Sequence, residues 1–267
     1  MSMVVKTIRV ALVLMFLARK GVSQEVPNLP PVHGPAIPTV TFTKSLWGAN
    51  PSYYAITVSS MGSASYRAEP HSDLRTGEPE IDDFTATRPT RRKIFRLTKK
   101  LHFFKGKLNT SDENRRVGWK SLTFAEGPIR SEIDYTSSQN RSIKRLTHLF
   151  ESIATTLEYG WKLSRLRADD PTALAAELKQ MQRQVTRRQL AEFEAIAPVV
   201  RDIAFDPRIP EASRRYARNL LKETHTLRKA RASAAALHFE GQNFPAQRAA
   251  GRRRNEVANQ AGHDFRS

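Results

Sequence analysis

The chain has 267 residues, of which 39% are hydrophobic, enough to bury the core of one large domain or of two modest ones. Its formal net charge of +18 favours anionic partners such as nucleic acid, anionic lipid or acidic glycans, and does not choose among them. The absence of cysteine excludes disulfides, thiolate nucleophiles and cysteine-based zinc sites.

Residues 1–24 are predicted to be a secretory signal peptide that exports the protein to the periplasm or beyond. A basic start with Lys6 and Arg9 precedes an unbroken apolar run from Val10 to Ala18, and small residues up to Ser23 offer a cleavage site. Two basic residues follow the apolar run, which is unusual, so a retained membrane anchor or a buried helix stays an alternative. The run is shorter than the about 20 residues that a spanning helix needs, which favours cleavage.

Residues 25–38 are predicted to be an extended, proline-rich tether, because five prolines fall there with little that could pack. An α+β domain is then predicted over residues 39–160. It begins with a strand, Thr39 to Lys44, in which apolar residues alternate with polar ones. The segment from Tyr53 to Arg67 predicts a β-hairpin, since aromatic and β-branched residues alternate with small polar ones on both sides of a Ser/Gly turn.

The segment from Glu69 to Asp83 is predicted to be an exposed loop, because it mixes Pro, Gly, Ser and acidic residues without periodicity. Calcium would need oxygen ligands at fixed offsets around a glycine, and the loop lacks that spacing. We therefore interpret its carboxylates as solvated groups and predict no metal site. The carboxylates are Glu78, Glu80, Asp82 and Asp83.

A helix is predicted from Thr87 to Leu101, with Thr87 as cap and Pro89 in the first turn. Its apolar residues recur at helical spacing, so one side of the helix is committed to the sheet. The other side is basic, and no acidic residue occurs between positions 91 and 107. This is the sharpest functional signal in the sequence, and it predicts a polyanion-binding surface formed by Arg92, Arg96, Lys99 and Lys100.

Two other interpretations of this basic segment stay open. A run of cations is commonly no more than a solvated helix face. The interleaved Phe95, Phe103 and Phe104 could also stack on bases of single-stranded nucleic acid. Phenylalanines beside leucines at helical spacing are more often core residues, however, and a secreted protein rarely meets DNA, so no specific nucleic-acid binding is predicted.

A second hairpin is predicted around Glu126-Gly127-Pro128, and a long helix with an apolar stripe is predicted to follow caps at Ser138 to Asn140. The predicted fold class is therefore α+β: an antiparallel sheet of two hairpins with helices on one face. An all-α extension over residues 161–224 follows, in which short helices punctuated by prolines resemble one HEAT-like hairpin. Residues 225–267 are predicted to be a basic disordered tail.

Catalytic motifs are missing from the sequence. It has no Gly-rich phosphate-binding turn and no nucleophile elbow, and no two of its seven histidines share a helix face. His102 and His148 are the only histidines expected within the sheet-helix unit, and both are interpreted as surface or boundary residues. We predict no cofactor and no catalytic residue.

Three segments of the sequence together resemble a protein family. The run from Asn50 to Val58, the return from Gly62 to Arg67 and the aromatic pair Phe103-Phe104 resemble an uncharacterised family of bacterial secreted proteins with a strands-helix-strands-helix domain. More distantly, the order of elements is similar to that of emfourin-type metallopeptidase inhibitors. The resemblance covers roughly residues 39–222. It implies a fold and an export route, and assigns no role to any residue.

The sequence therefore favours an exported, non-enzymatic binding module of the cell envelope that acts through the basic helix face. Its expected partner is an anionic envelope component or a protein. The alternatives are an enzyme whose site is assembled from scattered loop residues and a module similar to a peptidase inhibitor. The oligomeric state is not predicted.

Overall fold

The structure, a computed structural model, describes residues 36–69, 80–106, 108, 110–111, 113, 117–227, 229–230 and 233. The predicted signal peptide, most of the tether and the tail beyond residue 233 lie outside these residues. The strands are β1 (Thr39–Leu46), β2 (Tyr53–Ser59), β3 (Ser63–Ala68), β4 (Glu80–Thr85), β5 (Thr110–Ser111), β6 (Gly118–Glu126), β7 (Ile129–Tyr135) and β8 (Ser137–Ser138). The helices are α1 (Arg88–Lys100), α2 (Arg141–Asp169), α3 (Leu174–Thr186), α4 (Phe193–Phe205) and α5 (residues 211–227).

Six of the strands form one sheet in the order β4-β3-β2-β1-β6-β7, and every neighbouring pair is antiparallel. The first four strands follow one another as a meander, and the β6-β7 hairpin then adds to the free side of β1. The two short strands, β5 and β8, pair separately. The predicted α+β class, an antiparallel sheet with helices on one face and a helical extension, is confirmed.

Alternate residues of the strands bury one face of the sheet. Val40 and Phe42 of β1, for example, lie opposite Val58 and Ile56 of β2, and all four are fully buried. The opposite face carries mostly threonine and serine, such as the hydrogen-bonded pair Thr41 and Thr57. This is the period-2 pattern of a sheet whose helices pack on one side only.

Helices α1 and α2 cross the buried face transverse to the strands and in opposite directions. At its start α1 is bound to the β2-β3 turn, where the Arg91 guanidinium donates to the Met61 carbonyl. Just beyond its end, a 3₁₀ turn (His102–Phe104) reaches β6 and β7, where the Phe103 and Phe124 rings lie 4.8 Å apart. Helix α2 then returns from β7 towards β4. Thirteen helical residues span about 20 Å, enough to cross the roughly 14 Å of three strand spacings.

The second half of α2 extends past the sheet and packs against α3 and α4. A Cβ at Gly160 would lie 2.5 Å from Ile196 Cγ2, so only glycine permits this close approach of α2 to α4. Helix α2 runs without interruption through Trp161, the first residue of the predicted all-α extension. Pro198 lies within α4, and because proline lacks a backbone N–H, the sequence predicts a kink or a break of the helix there. The helix is not broken, since it continues to Phe205.

The predicted loop from Glu69 to Asp83 is wrong at its end, because residues 80–85 form β4. Asp82 pairs with Tyr66, and Phe84 pairs with Ala64. Aspartates are rare in strands, so the local sequence did not predict a strand here. β4 is an edge strand that is stabilised by its pairing with β3. Glu78 lies outside the described residues.

Candidate functional site

Helix α1 begins differently from the sequence prediction. Thr87 is the N-cap residue, but its hydroxyl does not cap the helix. Its backbone N–H and its hydroxyl both donate to the carboxylate of Glu192, at 2.8 and 2.7 Å. Glu192 is buried and lies just before α4, so the helical extension holds the start of α1. A carboxylate at this position also interacts favourably with the positive end of the helix dipole.

The inner side of α1 is apolar, as predicted. Ile94, Leu97 and Leu101 are buried in the core, and Thr98 is buried beside them. Phe95 and Phe104 belong to this packing, whereas Phe103 is 37% exposed. Phe95 is partly buried against the core and Phe104 is fully buried, which removes both as base-stacking platforms.

The four cations predicted to bind polyanions all lie on the outer side of α1. Arg92, Arg96, Lys99 and Lys100 are exposed, at spacings of four, three and one residues that place them on adjoining stripes of one helix face. No described carboxylate forms an ion pair with any of them. The helix itself contains no acidic residue, so this surface, which we call the basic face, carries an uncompensated charge.

Helix α2 carries polar residues on the side that faces the sheet. Thr147, Glu151, Glu158 and Trp161 recur at spacings of four, seven and three, so they form one stripe. Each meets a different strand: the Tyr135 hydroxyl bonds to Thr147, and Lys44 Nζ pairs with Glu151 Oε1 at 2.9 Å. We call the combined set the polar seam, and its members are Lys44, Tyr54, Tyr66, Asp82, Lys120, Tyr135, Thr147, Glu151, Glu158 and Trp161.

The far half of the polar seam holds two carboxyls that are costly to ionise. Tyr66 donates to Glu158 Oε1 at 3.4 Å, and the Trp161 indole donates to Asp82. Burial is the main cause that raises the pKa of Glu158 above its ordinary 4.5, against the lowering effects of Tyr66 and Lys44. Burial likewise raises the pKa of Asp82, and the neighbouring Asp83 adds to the rise.

The tyrosines of the polar seam stay protonated. Burial raises the pKa of both Tyr54 and Tyr135 well above the ordinary 10.0, and the charge of Glu151 adds to both rises. Their hydroxyls therefore act as hydrogen-bonding groups at neutral pH rather than as bases.

A cleft of about 220 Å³ opens where the polar seam meets the ends of β1 and β6. Lys44 and Lys120 stand side by side there, because the two residues are register partners on neighbouring strands. The Lys120 ammonium donates to the Thr136 carbonyl at 3.3 Å and lies 6.0 Å from the centre of the Tyr135 ring. The residues lining the cleft are Lys44, Ser45, Leu46, Ser111, Glu113, Val117, Gly118, Trp119, Lys120, Thr136 and Ser137.

The two histidines singled out from the sequence lie on different elements, and both are at the surface. His102 is in the 3₁₀ turn after α1 and His148 is on α2, and both are exposed. Within the described part of the chain, no three His, Cys, Asp or Glu side chains are grouped to hold a metal ion. No helix in that part combines the length and apolar character needed to cross a membrane.

No family model matches the chain, and no curated protein is significantly similar to it in sequence. The resemblance to bacterial secreted proteins therefore stays a prediction. The site must be interpreted from its own geometry.

Sequence reasoning located the basic face but missed the polar seam and the Glu192 cap. Glu151 and Glu158 interrupt the apolar stripe of α2 seven residues apart, which was a signal that this stripe meets polar groups on the sheet. Glu192 gave no such signal. Its role depends on the helical extension folding back to the start of α1, 105 residues earlier.

Proposed function

We propose that this protein is an exported, non-enzymatic binding module of the cell envelope that docks on a polyanionic component through the basic face. The observation that carries the proposal is that Arg92, Arg96, Lys99 and Lys100 are exposed together, with no described carboxylate partner, on a helix whose other side is fixed to the core. A rigid array of cations attracts anionic surfaces over about 10 Å at moderate salt.

The charges of α1 differ from those elsewhere on the surface. In the helical extension, cations are interleaved with acids: Arg167 pairs with Asp202 and Asp206, and Arg218 pairs with Glu211. Such pairs compensate one another and leave little field for a partner. The basic face has no such compensation among the described residues, and its four cations share one face of a single helix.

The runner-up is an enzyme, and the cleft beside Lys44 and Lys120 is the observation that favours it. A catalytic site needs a nucleophile or a base positioned by a neighbour. Lys44 is already paired with Glu151, and none of the described residues that line the cleft is a histidine. A binding module accounts for the basic face, which an enzyme centred on the cleft would leave without a role.

The test compares two variants of the full chain on a heparin column, since heparin is a soluble polyanion. The first variant carries Arg92→Gln, Arg96→Gln, Lys99→Gln and Lys100→Gln. The control carries Lys179→Gln, Arg187→Gln, Arg215→Gln and Lys222→Gln, four exposed cations of the helical extension. Both lose four charges of the same +18. The first should elute at markedly lower salt than the control, and equal elution would show that only net charge matters.

A further inference from the structure

We infer that the partner of the basic face is an anionic lipid bilayer, because the helix that carries the basic face runs along a row of exposed apolar side chains at one end of the sheet. The inference rests on the proposed function and names the class of polyanion. The row, which we call the apolar tips, consists of Ile37, Met61 and Ile129.

The apolar tips project from three neighbouring points at the same end of the strands. Ile37 precedes β1, Met61 is in the β2-β3 turn, and Ile129 follows the β6-β7 turn. They are 54, 71 and 48% exposed. All three are large apolar residues, and none belongs to the core.

Contacts next to the apolar tips join the three segments that carry them. The Pro38 carbonyl accepts from Ser60 N at 2.8 Å, which joins the entry to β1 to the Met61 turn. On the other side, a Cβ at Gly127 would lie 3.1 Å from the Ala36 Cβ, which joins the same entry to the β6-β7 turn. The Met61 and Ile129 turns are separated by about three strand spacings, roughly 14 Å.

Helix α1 runs parallel to this row and is fixed to it at both ends. At the start of α1, Arg91 donates to the Met61 carbonyl, and Gly62, with φ +111°, leaves room for the guanidinium. At the far end, the Ser131 hydroxyl of β7 donates to the Phe103 carbonyl, two residues beyond Ile129. Helix α1, which carries the cations, therefore lies along the row of apolar tips and is bonded to it near both ends.

This combination matches the chemistry of an anionic bilayer. Cations interact with the headgroups, and each Lys or Arg near such a surface improves binding by about fivefold. The apolar tips can enter the boundary between headgroups and acyl chains, as amphipathic surfaces do. A soluble polyanion such as a glycan or a nucleic acid would use the cations and leave the apolar tips in water.

Exposed apolar residues at the opposite end of the strands provide an internal control. Trp47, 85% exposed, and Val117, 60% exposed, lie there, and the backbone N–H of Trp47 donates to the Val117 carbonyl. Both are more exposed than Ile37 and Ile129. Cations also lie near this end, since Lys44 and Lys120 line the cleft with Val117 and Lys44 is paired with Glu151. The inference predicts that the end beside α1 meets the bilayer, and the experiments compare the two ends.

The first experiment measures binding of full chains to vesicles of equal parts phosphatidylglycerol and phosphatidylcholine. We expect a variant with Ile37→Ser, Met61→Ser and Ile129→Ser to lose roughly tenfold or more in affinity, because burial of one large apolar side chain is worth about that much. Its elution from heparin should match the parent. A control with Trp47→Ser and Val117→Ser should bind vesicles as the parent does.

A second measurement locates the surface directly. Since the chain has no cysteine, Met61→Cys and Trp47→Cys can each be labelled at one position with an environment-sensitive fluorophore. The label at residue 61 should shift to the blue on anionic vesicles, and the label at 47 should not. Residues 1–35 are present in every protein, so any contribution they make to binding is common to all.

The outcomes separate the two proposals. If the α1 variant elutes from heparin like its control, the proposed function fails. If heparin binding depends on the basic face but the serine variant of the apolar tips binds vesicles like the parent, the bilayer inference is overturned and a soluble glycan or nucleic acid is the better partner. A blue shift at residue 47 without one at 61 would also overturn it.

Discussion

Helices α1 and α2 cover the same face of one sheet, yet they place their charges in opposite directions. In α1 the cations point outward and meet no described carboxylate. In α2 two glutamates point towards the sheet, where Glu151 pairs with Lys44 and Glu158 accepts from Tyr66. The two glutamates of α2 are bonded within the fold, whereas the four cations of α1 have no described carboxylate partner.

The difference separates charges that are bonded within the fold from charges that face solvent. A charge that faces its own sheet contributes to, or costs, folding free energy, and its removal should change stability. A charge that faces solvent beside like charges slightly disfavours folding, so its removal should leave stability unchanged or slightly higher. The predictions below test this contrast, in decreasing order of expected effect on stability.

The largest effect should come from the apolar contact that holds α2 on the sheet. Phe150 is fully buried and its ring stacks on Phe42, with centroids 5.3 Å apart. Phe150→Ala should lower the free energy of unfolding by about 3–5 kcal/mol, because it removes buried apolar surface and leaves a cavity. Urea unfolding measures this. Phe205→Ala, at an exposed position of α4, is the control and should unfold like the parent.

The next effect concerns the start of α1. Glu192→Ala removes the acceptor of both the Thr87 N–H and the Thr87 hydroxyl, and should cost about 1–3 kcal/mol of unfolding free energy. Glu192→Gln keeps an acceptor oxygen and should recover part of that loss. Both are measured by urea unfolding. If the alanine variant is as stable as the parent, the helical extension does not hold α1 in place.

The sequence predicted the elements whose pattern is local. The Tyr53 to Arg67 hairpin, the helix with Ile94 and Leu97 inward, and the Asn140 cap, which accepts from Ser142 N at 2.8 Å, all follow from spacing within a few residues. The basic face could be identified for the same reason, since helical spacing alone brings its cations together.

The elements that sequence reasoning missed depend on distant partners. Strand β4 is a strand because β3 pairs with it, not because Asp82 and Asp83 favour extended backbone. The polar seam requires knowing that α2 crosses the strands in a direction that brings Glu158 to Tyr66, 92 residues earlier. Nothing in the local sequence encodes that direction.

The stability of the protein should depend on pH through the titration of Glu158, on the side of α2 that faces the sheet. Because burial raises the pKa of Glu158 above 4.5, the folded protein binds this proton more tightly than the unfolded chain. The stability contribution is therefore present below that value and is lost as pH rises through the raised pKa of the folded state. Glu158→Gln cannot ionise and can still accept from Tyr66.

Melting curves of the parent and of Glu158→Gln across this pH range provide the measurement. The melting temperature of the variant relative to the parent should rise as pH increases from about 4 to about 8. Glu132→Gln, an exposed glutamate of β7, serves as the matched control and should not change the profile in this way. A constant difference between Glu158→Gln and the parent would contradict a buried, titrating Glu158.

The smallest effect on stability should come from the basic face, which is where the contrast is sharpest. The variant with Arg92, Arg96, Lys99 and Lys100 all changed to Gln removes two like-charge pairs at i,i+4, namely 92 with 96 and 96 with 100. Each pair destabilises a helix by a few tenths of a kcal/mol, and glutamine is a good helix former. The variant should therefore be as stable as the parent or slightly more so.

Repulsion among exposed charges is screened by salt, so any gain in stability at low ionic strength should shrink at about 0.5 M. Thermal unfolding at both ionic strengths measures it. A clear loss of stability would mean that these cations have partners within the chain, and the basic face would then be part of the fold rather than a surface left for an anionic partner.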